Sequence, residues 1–126
     1  MVSEKAKELY SSLLLCSDKV KERQAFANEF CTELCKCFKL KVVELRVCNV
    51  PQDSRIVNGV CVSKVKGKYI PQQRMIVIFN KTAVRKQVVT IKVFVNTVLE
   101  QFVFYQSPNT DDFLNRLSDL KKELTN

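Results

Sequence analysis

Apolar side chains recur along this chain with two periods, and the switch between them divides it. Ala6, Leu9, Tyr10, Leu13 and Leu14 fall at helical spacing behind Ser3, a suitable N-cap, and predict a helix over residues 4–15. A second helix, capped by Ser17 or Asp18 and running to about residue 38, buries Val20, Phe26, Ala27, Phe30, Cys31, Leu34 and Phe38. Its Lys21, Glu22, Glu29, Glu33 and Lys36 stay in water. The pattern then changes. Residues 40–48, 56–65 and 74–79 are short stretches rich in Val, Ile and Leu, and each suits a strand. Pro51-Gln52-Asp53-Ser54 and Lys66-Gly67-Lys68 read as the turns between them, and Gly59 as a bulge.

Helical spacing returns behind Thr82. Val84, Val88, Ile91, Val95, Val98, Phe102 and Tyr105 are separated by alternating steps of four and three, which predicts one long helix over 82–105. Val89, Ile91, Val93 and Val95 also alternate as a strand would, so a hairpin turning at Asn96-Thr97 competes. The helix is preferred because its period holds from Val84 to Tyr105. Ser107-Pro108-Asn109-Thr110 breaks the chain, and Thr110 or Asp111 caps a last helix through residue 124 that turns Phe113, Leu114, Leu117, Leu120 and Leu124 inward. The expected order is α-α-β-β-β-α-α. The fold class is α+β, a small antiparallel sheet of about three strands packed against helices.

Composition is compatible with one domain spanning residues 1–126. Of the 126 residues 46% are apolar and 27% charged, and 2 Gly and 3 Pro leave little room for linkers. The longest apolar runs, 13–16 and 75–79, are far short of the ~20 residues of a membrane span, and the N-terminus has no signal-peptide core. The expectation is a cytoplasmic protein that meets no membrane.

Charge changes the picture more. The chain carries a net +8, but residues 1–35 are near neutral and residues 97–126 slightly acidic, so the positive charge belongs to the middle. Lys64, Lys66, Lys68, Arg74, Lys81, Arg85, Lys86 and Lys92 come from neighbouring pieces of chain there, and a positive face of that size can track a phosphate backbone. No helix-turn-helix signature, zinc finger or aromatic RNA-binding motif accompanies them, so weak, salt-sensitive nucleic-acid binding is expected.

The candidate chemistry is mostly subtractive. The chain contains no histidine. Cys16, Cys31, Cys35, Cys37, Cys48 and Cys61 include no close C-x-x-C pair, and they read as small buried hydrophobes rather than zinc ligands. Both glycines stand alone, so no phosphate loop exists, and a cysteine nucleophile would lack a histidine base. No cofactor is expected.

One stretch carries a family outline. Glu100-Gln101-Phe102-Val103-Phe104-Tyr105, followed by a break and then Phe113 and Arg116-Leu117, resembles the active-site helix of small SprT-like, zincin-like metallopeptidase domains of archaea and their mobile elements. In that family the helix reads H-E-F-V-H-Y. The resemblance places Glu100 at the first zinc histidine, Gln101 at the catalytic glutamate and Phe104 at the second histidine. The third ligand falls near 109–112, again without a histidine. A one-residue shift keeps Glu100 as the glutamate but puts Leu99 and Val103 at the ligand positions. Catalytic zinc needs three ligands, an open position and a base. The resemblance therefore implies a non-enzymatic, zincin-like module that binds a protein surface or an extended peptide; the basic middle offers the alternative of a small basic nucleic-acid-binding protein of a virus or plasmid, on the same or another α+β fold.

Overall fold

A computed structural model of the chain describes residues 1–49, 56–57, 60–61, 66–82, 85–107 and 109–126, with the backbone alone at 56–57, 60–61 and 110. The order is α1 (Glu4–Leu14), α2 (Val20–Cys37), β1 (Glu44–Cys48), β2 (Ile56–Val57), β3 (Val60–Cys61), β4 (Gly67–Ile70), β5 (Met75–Phe79), α3 (Ile91–Gln106) and α4 (Phe113–Thr125). Among the described residues it is an α+β fold of four helices and a three-stranded sheet. The expected turn at 51–54, the bulge at Gly59, Lys64 and most of the 56–65 strand lie outside the described residues. Within that stretch β2 and β3 pair as a separate antiparallel ribbon.

Ser3 caps α1 as its position predicts, its hydroxyl accepting from the Ala6 N–H at 3.1 Å. The start of α2 differs from expectation. Its N-cap is Lys19, with no side-chain cap. Ser17 instead donates to the Glu22 carboxylate and accepts from the Lys19 N–H. After α2, Lys39 takes a left-handed φ of 56° and the Leu40 N–H returns to the Cys35 carbonyl. This exit consumes the residues expected to begin the first strand, so β1 starts at Glu44.

The sheet order is β1-β5-β4. It is mixed, not wholly antiparallel: β1 runs parallel to β5, and β4 antiparallel to it. Lys66-Gly67-Lys68, expected to turn the chain, instead leads into β4; the turn is the Pro71–Gln73 helical turn closed by Arg74 at φ 45°. Leu45 and Val47 of β1 and Ile76 and Ile78 of β5 join one core with Phe30 and Leu34 of α2, Phe94, Val98 and Phe102 of α3, and Leu120 and Leu124 of α4.

The 82–105 helix is corrected at its start. Lys81 bridges Val88, the Thr82 hydroxyl accepts from the Gln87 N–H, and Lys86 sits at φ 52°. Thr82 therefore closes a loop. The Val89 N–H is taken by the Asn80 carbonyl at 2.8 Å, which holds this β-branched segment extended. The helix cap is Thr90, accepting from the Val93 N–H. From there α3 is continuous, and Asn96-Thr97 lies inside it.

Candidate nucleic-acid interface

Gly67 sets the geometry of the region where the basic residues meet. A Cβ there would lie 2.9 Å from both Ile78 Cδ1 and Thr97 Cγ2, and 3.0 Å from the Val77 carbonyl. Only a residue without a side chain lets α3 come this close to β4. Thr97 is held on its side by a bond from its hydroxyl to the Val93 carbonyl at 2.8 Å. The approach leaves an open groove of about 390 Å³ beside the start of β4, lined by Lys66, Lys92, Val93, Asn96, Thr97 and Glu100. Lys92, Asn96 and Glu100 are four residues apart and form one ridge of α3. Asn96 donates its amide to Glu100 Oε1.

The predicted cations divide between the two ends of the sheet. The Phe79 N–H bonds the Lys66 carbonyl, which places Lys66 where β5 ends. Lys81, Arg85 and Lys86 occupy the turn that follows, and Lys92 lies in the first turn of α3. Among the described residues no carboxylate lies within ion-pairing distance of these five. Lys68 sits in mid-strand opposite Val77. Arg74 is at the far end, where its charge acts on Tyr105.

Among the described residues the outer edge of β4 is open. Register and the Lys66–Phe79 bond direct residues 66, 68 and 70 toward β5, so the peptide groups of Gly67 and Tyr69 point outward. Among the described residues nothing pairs with them.

The three residues that the zincin-like resemblance singled out separate. Glu100 joins the groove, Gln101 is half-buried, and Phe104 stacks on Phe113 with centroids 4.4 Å apart and planes 18° apart. Among the described residues no three His, Cys, Asp or Glu side chains converge. The five described cysteine side chains are free thiols. Cys31 and Cys35 are buried in α2, and burial pushes the Cys31 thiol far up. Cys37 turns away to Ser3.

A buried polar cluster beneath this end escaped the sequence reading. Arg23 is 3% exposed. Its Nη1 donates to Asn80 Oδ1 at 2.8 Å and to the Val89 carbonyl at 2.7 Å, and its Nε donates to the Ser17 carbonyl. The guanidinium lies 5.0 Å from the Phe94 centroid. Asn80 donates in turn to the Asp18 carbonyl. Burial lowers the Arg23 pKa. The cluster ties α2 to both ends of the basic turn. Its signal was an arginine at a core position of the α2 stripe, three residues after Val20 and four before Ala27.

No protein-family model matches this chain, and neither a curated protein nor a solved structure matches it. No helix among the described residues is long and apolar enough to cross a membrane.

Proposed function

We propose that this chain is a non-catalytic binding module of zincin-like outline, working in the cytoplasm, whose basic end holds a nucleic-acid backbone. The observation that carries the reading is that Lys66 and Lys92 line the β4–α3 groove and Lys81, Arg85 and Lys86 lie in the turn at the same end of the sheet, none of the five in an ion pair among the described residues, although Glu100 also lines the groove. Unpaired cations on a fixed platform release counterions from phosphates when they bind. The non-catalytic part is supported by the missing histidines and by Phe104, whose ring is committed to Phe113. Binding of single strands measured against salt tests this. Five phosphate contacts give a log–log slope of about −3.5, and Lys66→Ala with Lys92→Ala reduces it by about 1.4. Absence of binding at low ionic strength sinks the reading. Peptide hydrolysis abolished by a chelator sinks its non-catalytic part.

A second reading is favoured by one feature. The outward peptide groups of Gly67 and Tyr69 offer an edge to which an extended peptide can add as a strand.

A further inference from the structure

Glu100 is out of place in a groove built only to follow phosphates, because a carboxylate repels them. We infer that the β4–α3 groove reads guanine in a single strand, with Glu100 accepting from the base. The inference rests on the nucleic-acid reading above. Asn96 fixes Glu100 by donating to its Oε1, and among the described residues Oε2 has no partner. An ionised carboxylate only accepts hydrogen bonds. Guanine presents two adjacent donors on its Watson–Crick edge, N1–H and the 2-amino group, and so meets both needs of a carboxylate. Adenine and cytosine set an acceptor beside their amino group, and thymine flanks its one N–H with carbonyls. Pairing consumes this edge in a duplex, so the strand must be single.

The spacing fits one nucleotide. Lys92 and Glu100 lie two helical steps of four apart, about 12 Å along the axis, with Lys66 beside Lys92 across the groove. A phosphate between the two lysines and a base edge at Glu100 can therefore belong to the same residue. The groove volume of about 390 Å³ is in the range of small-ligand sites. Beyond Glu100 the ridge ends at Phe104, which is packed on Phe113.

Fluorescence anisotropy at low salt tests this with short oligothymidylate strands carrying one central dG, deoxyinosine or dT. The wild-type protein binds the dG strand about tenfold more tightly than the dT strand. Deoxyinosine, which lacks the 2-amino group, loses most of that gain. Glu100→Gln cuts the preference below about twofold while its affinity for the dT strand holds or rises, since a negative charge has gone. Equal wild-type affinity for dG and dT, or a preference that survives in Glu100→Gln, overturns the inference and leaves the phosphate reading standing. Glu100→Gln tightening every strand equally does the same, because Glu100 then only repels phosphate. No binding of any strand overturns both.

Discussion

The two edges of the sheet are treated in opposite ways. At β1 the outward N–H groups of Leu45 and Val47 are met by Asn28 Oδ1 at 2.9 Å and Gln24 Oε1 at 3.0 Å. Positions 24 and 28 are one helical step of four apart and reach alternate residues of the strand, so α2 closes that edge with two side chains. At β4 no such cover exists among the described residues, and Gly67 and Tyr69 face outward beside the basic groove. An open strand edge invites pairing, and proteins usually blunt it with charge or a covering element. Among the described residues, the same sheet carries one edge closed by amides and one flanked by lysines with no covering side chain. The closed edge belongs to the folding core, and the open one is the edge that the proposed strand addition would use.

Both halves depend on α2, which closes the β1 edge and sends Arg23 beneath the β5–α3 connection. Breaking that link is expected to have the largest effect. Arg23→Ala leaves the Asn80 amide oxygen and the Val89 carbonyl without their donor, at about 1–3 kcal/mol for each buried acceptor. The loss of stability should be about 3 kcal/mol by denaturant unfolding. Arg23→Lys should recover only part of it, since one ammonium cannot reproduce the fork that spans Ser17, Asn80 and Val89. If the cluster also positions the basic turn, single-strand affinity falls in Arg23→Ala at temperatures where the protein is still folded.

The open edge is tested by Gly67→Ala. The new methyl meets Thr97, whose hydroxyl is already held by Val93, and a backbone carbonyl, so β4 and α3 must part. Overpacking of this kind costs about 1–3 kcal/mol. The groove changes shape with it, so affinity should fall together with the unfolding midpoint. Unchanged stability would show that α3 and β4 do not meet as closely as the structure places them.

These sites also mark where the sequence could be read and where it could not. α1, α2 and α4 were legible because each carries a periodic stripe with polar residues opposite. The start of α3 was not, because Thr82 and Thr90 are equally good caps; the choice is made by Asn80, which captures the Val89 N–H and keeps the chain extended. β4 was hidden by Lys66-Gly67-Lys68, whose composition says turn. The glycine answers a tertiary demand, the approach of Thr97, that no local rule contains. The parallel pairing of β1 with β5 is likewise non-local. In the candidate site, charge alone pointed to Lys66 and Lys92, yet it also gathered Arg74, which the antiparallel return of β4 and β5 sends to the other end. Asn96 pointed with Thr97 to a competing hairpin turn and not to a site, being one polar residue in a mostly apolar helix.

The smallest effect should come from opening the closed edge. Asn28→Ala or Gln24→Ala removes one acceptor from a partly buried strand N–H, and a lost hydrogen bond of this kind contributes about 1 kcal/mol. The two substitutions act on different strand residues along one helix face, so the double variant should lose about 2 kcal/mol. Stability is the lesser readout. With both amides gone, β1 presents an uncovered edge like that of β4, so the double variant should self-associate more than the wild-type protein. Light scattering at matched fractions folded distinguishes this from aggregation of unfolded chains. Association that rises in the double variant and is absent in Lys66→Ala with Lys92→Ala would assign edge protection to Gln24 and Asn28, and leave the lysines of the open edge to a partner.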